Sequence, residues 1–401
     1  MKKKLLPFML VGALVMTSMT AFASDEPVEL TGVSDDPNTL TVAAWDANFN
    51  IPALEAAADA FKASNPDFNL EIQTVSGSSD VEQAVTLAGS SGDYSQLPDI
   101  VLFQDHYIQK YVADYPDAWQ SLEGADINWD DFGAEKLSYS TINGEHYGAP
   151  VDNGTSIFAY RVDVLEQAGL TIDDMTGITW DQWLENAKTV KEKTGYALLS
   201  MDHSGDDLPY MMMQAEGQSQ WKDGAPNIAG NETFKKIIEV IVKGAQDGSI
   251  ILANSWSDYT DQTIIGDQVA GVFNGNWIIP TIEQNAGNSG KWEITTIPTL
   301  EGGEGAMDTY DNALRNGGVI TTCVSASASD VYQEGIEFFN DQAIYSKIVE
   351  MGTHVPVVEQ NDYHYRMREY VGNAITNIIN GADIDSEIAN AQSQVEFEME
   401  E

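Results

Sequence analysis

The stretch LTVAAWDANFNIPALEAAADAFKASNPDFNLEIQTV, residues 40–75, decides the fold. Leu40 to Trp45 is a short apolar run with the length and composition of a strand. Leu54, Ala57, Ala58 and Phe61 then recur at helical spacing. Asn65-Pro66 ends that helix, because proline disfavours the helical conformation of the residue before it. Phe68 to Val75 alternates apolar and polar, the period of a second strand. Working outward, Val81, Ala84, Val85 and Ala88 mark a second helix, and Pro98 to Phe103 a third strand. A β-α-β-α-β succession of about 65 residues builds a parallel sheet with helices on both faces. Trp45-Asp46-Ala47-Asn48-Phe49 stands where a dinucleotide fold needs glycines, so nucleotide binding is disfavoured.

The chain of 401 residues is too long for one ordinary core, and two domains are expected. Its 63 acidic residues face 19 basic ones, a formal charge of −44. Neither nucleic acid nor an anionic membrane face suits such a surface. The acids are spread along the chain and read as a solvated, soluble exterior rather than as a cation site. The single cysteine, Cys323, excludes an internal disulfide and a thiolate-clustered metal site. It lies in an apolar run and reads as a small buried residue. Met1 to Ala23 has the charged start, apolar middle and Ala21-Phe22-Ala23 end of a cleaved signal peptide. Residues 24–38 read as a flexible leader. No cysteine stands at the cleavage point to carry a lipid.

The middle of the chain keeps the α/β pattern. Asn143-Gly144 reads as a tight hairpin turn leading into a strand from Glu145 to Val151. Ser156 to Tyr160 is another strand, and Val162 begins a short helix that Gly169 ends. Thr179 and Gln182 form a capping box for a helix from Trp180 to Lys193, closed by Gly195. Phe234 to Ala245 is an amphipathic helix. Val269 to Phe273 is a strand, residues 298–318 are turn-rich, Val319 to Val324 is a strand, and helices follow to the C-terminus.

No zincin, nucleophile-elbow or P-loop motif is present, and the five histidines are scattered. Asp126 to Asp130 resembles the start of a calcium loop, but Asp131 and Leu137 stand where glycine and glutamate are needed. No metal or cofactor is expected. Aromatic, amide and carboxylate side chains do gather at strand ends: Trp45-Asp46, Gln104-Asp105, Asp152-Asn153, Trp277 after Asn274-Gly275-Asn276, and Asn316-Gly317-Gly318. In open α/β sheets ligands sit outside the carboxyl ends of the strands. Carboxylates and amides hydrogen-bond adjacent hydroxyls, and an indole stacks on the apolar face of a sugar ring. The set suits a neutral, hydroxyl-rich ligand. Trp45 has an alternative as core filler, and Asp105 as a helix cap. Trp129, Trp180, Trp183 and Met211 to Met213 read as packing residues.

The segments LPDIVLFQDHYIQKYV, INGEHYGAPVDNGTSIFAYRVDVLEQAGL, ITWDQWLENAKTVKEKTG, VAGVFNGNWIIP and NGGVI, together with the opening stretch, resemble the extracellular solute-binding proteins of carbohydrate ABC importers. This is the maltose-binding-protein-like family, and the likeness is to its lactose and arabinose-oligosaccharide group. The resemblance implies a two-lobe periplasmic-binding-protein-like α/β fold, with a parallel-rich sheet in each lobe and a ligand cleft between. It implies a first lobe of 39–149 plus about 317–355 and a second of 150–316 plus about 356–401. It places Trp45, Asp46, Gln104, Asp105, Asp152, Asn153, Trp277, Asn316, Gly317 and Gly318 at the cleft, with Asp206 and Asp207 as weaker candidates. It implies a monomeric binding protein, not an enzyme, that carries an oligosaccharide to membrane permease subunits from the periplasm or cell exterior. The aromatics flanking the cleft suit a glycan of about two to four units. Two rivals stand beside this reading: a polyamine on the same fold, and a secreted glycoside hydrolase.

Overall fold

The structure, a computed structural model, describes residues 30–46, 50–132, 134–152, 154–202, 208–302, 323, 325, 329–352, 354–356, 358–361 and 363–400. The signal segment, Asn153, Asp206-Asp207, Asn316-Gly317-Gly318 and all of the Val319–Val324 strand except Cys323 lie outside the described residues.

The first sheet has the expected parallel order. β1 (Thr39–Ala44) lies between β2 (Asn69–Thr74) and β3 (Ile100–Val101), parallel to both. Its side chains alternate between faces. Ala43 packs with Leu30, Val75 and Val81, while Val42 and Ala44 pack with Leu102. Helices α1 (Asn50–Lys62) and α2 (Ser78–Ser91) cover the sheet. On α2 the buried residues are Val81, Val85 and Ala88, as their spacing requires. On α1, Phe61 is exposed and meets Phe68 edge-on at 4.8 Å, so it braces the entry to β2 instead of the core. β3 is shorter than the apolar run suggests. The Asp99 side chain takes over its ladder, accepting from Thr41 N and Thr41 Oγ1, both at 2.8 Å.

The leader is not loose throughout. From Leu30, which is buried, the chain is tied down: Thr31 N donates to Gln73 Oε1 at 2.9 Å and Gln73 Nε2 returns to Gly32 O at 2.8 Å. Gly32 has φ +76°, and a Cβ there would lie 2.3 Å from the Ser95 carbonyl oxygen. An apolar anchor and one permissive glycine thus convert acidic linker sequence into an ordered edge.

After α3 (Asp105–Asp114) and α4 (Ala134–Ser140), β4 (Thr141–Ile142) and β5 (Glu145–His146) form an antiparallel hairpin. Its turn residues Asn143 and Gly144 have φ of 54° and 84°, the primed turn expected of Asn-Gly. The strand stops at His146, which stacks on Trp129 at 4.0 Å, rather than running to Val151.

The second lobe is built around β6 (Ser156–Arg161), buried along its whole length. α5 (Val162–Ala168) and α6 (Trp180–Thr194) end at the left-handed Gly169 and Gly195. The capping box is reciprocal: Gln182 N donates to Thr179 Oγ1 and Thr179 N to Gln182 Oε1. β7 (Leu199–Asp202), α7 (Leu208–Ala215), the β8–β9 hairpin (Trp221–Lys222, Ala225–Pro226) and α8 (Glu232–Asp247) follow. Trp180, Trp183 and Met211 to Met213 lie in one large core with the apolar face of α8. β10 (Ile250–Ala253) pairs parallel with β7, whereas β11 (Gly271–Gly275) and β12 (Trp292–Thr295), on either side of α9 (Ile279–Glu283), flank β6 antiparallel. The second lobe is therefore mixed, and the parallel-rich pattern belongs to the first. Helices α10 (Ile344–Gly352), α11 (His364–Ile379) and α12 (Ile384–Glu400) complete the chain.

The expected grouping of 317–355 with the first lobe needs correction. Cys323, half-buried, bridges to Phe132, and Ser325 N donates to Asp131 Oδ1 at 2.9 Å, so these two do sit on the first lobe. By Tyr332 the chain has crossed. Tyr332, Phe339, Ile344, Tyr345 and Ile348 pack with Ile157, Val269 and Ile294 of the second lobe. The amphipathic face of α10 had two sheets to choose from, and sequence spacing does not say which.

Arg161 ends β6 as a buried cation. Its guanidinium forms a fork with Asp163 (2.8 and 2.9 Å) and reaches Asp267, which also accepts from Tyr196 OH at 2.9 Å. Burial alone would raise the Asp163 carboxyl; hydrogen bonds and charge from Arg161 outweigh it and hold it below its usual range. Arg161→Met is expected to cost about 3 kcal/mol in urea unfolding, because it strands two carboxylates. A depressed carboxyl stabilises above its unfolded pKa and loses that contribution as pH falls through the folded value. The stability gap between wild type and Arg161→Met should therefore narrow below about pH 4; a gap independent of pH down to full acid unfolding would contradict this.

Candidate functional site

Asp46 stands two residues past the end of β1. Its φ of 67° turns the chain sharply, and its carbonyl accepts from Ile51 N to open α1. The side chain is left exposed at the carboxyl edge of the sheet. Trp45 turns the other way, half-buried against both apolar layers of the first lobe.

In the second lobe Trp277 sits on a short helical turn at the end of β11. The turn is held by Asn276 N to Thr155 O at 2.9 Å and by Asn274 Nδ2 to Tyr259 OH at 3.1 Å. One side of the Trp277 indole rests on the second-lobe core. Its ring lies 5.5 Å from that of Trp256 at 41°, and Trp256 lies 5.0 Å from Tyr259. The Trp277 indole N–H has no hydrogen-bond partner among the described residues.

Asp46, Trp256 and Trp277 wall one cavity of about 260 Å³, lined also by Thr260, Asp261, Ile265, Pro280, Thr281 and Gln284. Asp46 comes from the first lobe and the rest from the second. The arrangement offers two carboxylates and an amide for hydroxyl groups, and two tilted indole faces for apolar ring surfaces. Among the described residues no group of three or more His, Cys, Asp and Glu side chains is placed to hold a metal.

Of the strand-end residues read from sequence, the structure brings Asp46 and Trp277 together in this cavity. Gln104 and Asp105 are engaged elsewhere. Gln104 is buried and accepts from Tyr365 OH at 3.1 Å. Asp105 is the first residue of α3, and its carboxylate holds the buried Lys136 ammonium at 2.8 Å. Asp152 is wholly buried where the chain crosses into β6. Trp256, Asp261 and Gln284 were not read from sequence. Trp256 follows β10, a strand of four residues whose short run Ile250–Ala253 gave no clear period, and it precedes a π-helical stretch, Asp258–Ile265. The remaining signal was an aromatic set among Asn254, Ser255 and Ser257.

The sequence pattern of bacterial extracellular solute-binding proteins matches residues 56–340. A lactose-binding protein of Rhizobium radiobacter is 28% identical over 419 aligned positions, covering 96% of this chain and 95% of that protein. A transporter-associated binding protein of B. animalis subsp. lactis, solved with β-1,6-galactobiose, superposes with a TM-score of 0.70 at 16% identity, over 90% of this chain and 97% of that one. The galacto-N-biose/lacto-N-biose I-binding protein of Bifidobacterium longum, solved with lacto-N-biose, gives 0.68 at 13% identity, over 91% and 98%. At these identities the two structures show likeness of fold.

Lys136→Met should leave the Asp105 carboxylate desolvated without its ammonium. The expected loss is about 3 kcal/mol by urea denaturation, partly recovered when Asp105→Asn is added. Equal stability of the two variants would contradict the pairing.

Proposed function

The chain belongs to the bacterial extracellular solute-binding proteins, and we propose that it binds a neutral oligosaccharide between its lobes and passes it to the membrane permease of an ABC importer. The observation that carries this reading is the cavity with Asp46 on one wall and Trp256 and Trp277 on the other. A ligand touching both lobes stabilises their closed arrangement through its greater affinity for it. The cavity's 260 Å³ lies below the usual range for small-molecule sites, roughly 300–1,000 Å³, and favours the short end of the expected chain lengths. The name of the Rhizobium relative makes lactose the first ligand to try.

Members of this family are binding proteins, and we read this chain as one that catalyses no reaction. Its first lobe comprises the described residues from 30 to about 150 with Cys323 and Ser325, and its second the other described residues. It works as a monomer, exported by cleavage after Ala23 and held in the periplasm or outside the cell without an N-terminal lipid. Among the described residues no helix is long and apolar enough to cross a membrane.

One observation favours a second reading. Two carboxylates and two indoles on one cavity also suit an organic cation such as a polyamine, through ion pairing and cation–π contact. Thermal shift of the mature protein separates the two. Lactose or β-1,6-galactobiose should raise the midpoint with the logarithm of concentration, equally at low and high salt. A polyamine shift should collapse with added salt. Trp277→Ala should weaken sugar binding at least roughly thirtyfold, the loss typical of a buried aromatic anchor. A salt-sensitive shift with spermidine and none with sugars would overturn the oligosaccharide reading. Release of monosaccharide on incubation would overturn the non-enzymatic one.

A further inference from the structure

The segment between α10 and α11 is fastened to the second lobe. Gln214 Nε2 donates to Pro356 O at 3.0 Å, and Ser219 Oγ donates to Glu359 O. The Glu359 carboxylate accepts from the backbone N–H groups of Asp223 and Gly224, at 2.8 and 2.5 Å. Asn361 Nδ2 donates to Gly224 O at 3.3 Å, and His364 is wholly buried with its ring 5.0 Å from Tyr210.

From this segment and the first turn of α11 that follows it, Gln360 and Tyr365 cross to the first lobe. Gln360 Nε2 donates to Tyr139 OH at 2.7 Å. Tyr365 OH donates to Gln104 Oε1 at 3.1 Å, and its ring stacks on Tyr107 with centroids 5.8 Å apart and planes 21° from parallel. The Arg368 guanidinium lies 4.9 Å from the centre of the Tyr365 ring and helps to fix it. Beside the stack the seam is hollow. A cavity of about 380 Å³ separates Glu82, Lys110 and Tyr111 of the first lobe from Arg366 and Glu369 of α11. Directional contacts around a polar gap can be made and broken together, which a close-packed apolar seam does not allow.

We propose that Tyr365 and Gln360 are positioning residues for ligand binding. They latch the C-terminal segment of the second lobe onto the first and hold the walls of the Asp46–Trp277 cavity in place, with no contact to the ligand. This rests on reading that cavity as the ligand site. With the latch closed, a larger fraction of the free protein is competent to bind, and apparent affinity scales with that fraction. Gln104 serves the ligand indirectly, as the seat of Tyr365.

The test uses the full mature chain, lactose as probe, and two variants. Tyr365→Phe removes one hydrogen bond and keeps the stack, and Tyr365→Ala removes both. Small-angle X-ray scattering without sugar should show a larger radius of gyration for Tyr365→Ala than for wild type. Calorimetric titration should show lactose affinity weakened about fivefold in Tyr365→Phe and about thirtyfold in Tyr365→Ala. Trp277→Ala, by contrast, should lose lactose with ligand-free scattering unchanged. Folded Tyr365 variants with wild-type scattering overturn the latch, whether or not affinity falls, since a fall alone would mean direct ligand contact. If wild type does not bind lactose, that reading of the cavity fails for this sugar, and the ligand-free scattering still decides the latch. If Tyr365→Ala does not fold, Tyr365→Phe decides it, by a smaller expansion or by none.

Discussion

The tie between Arg161 and its two aspartates fixes what the rest of the second lobe depends on. Arg161 ends the central strand β6, Asp163 opens α5, and Asp267 stands just ahead of β11. Holding those three points sets the register of β11 on β6, Gly275 opposite Ser156. That register delivers the turn carrying Trp277 to the edge of the sheet. In the first lobe β1 does the same for Asp46, through Thr41 and Asp99. The candidate site is thus two strand ends brought face to face, each positioned by a polar tie within its own lobe.

Cations are scarce in a chain with 19 basic and 63 acidic residues. Two of them are buried at structural joints: Arg161 in the second lobe and Lys136 against Asp105 at the start of α3. Each draws acids inward that would otherwise add to the surface charge. That surface has a consequence for motion. Like-charged lobes repel, and self-repulsion of this kind favours the more open arrangement. Tyr365 and Gln360 oppose it with uncharged contacts, which salt does not screen.

Much of the framework was legible because local and global signals agree in it. The apolar run of β1, the alternation in β2, the spacing on α2, the Asn143-Gly144 turn and the Thr179–Gln182 box each specify one geometry. What was not legible was decided by partners distant in sequence. Phe61 has the spacing of a core residue, yet it pairs with Phe68. Leu30 sits in an acidic leader, yet it finds a place beside Ala43. α10 chose the second sheet over the first. At the site, Asp46 and Trp277 were readable as strand-end residues. Gln104 and Asp105 were equally so, but Tyr365 and Lys136 engage them. Trp256 was hidden by the short, patternless strand before it.

The central claim is that one ligand is gripped from both lobes at the carboxyl ends of their strands. Amide hydrogen exchange of the mature protein with and without lactose tests it most directly. Slowed exchange is expected at two separated places, the start of α1 after Asp46 and the segment from Trp256 to Gln284. Protection confined to one of them, or absent from both at saturating sugar, would contradict it.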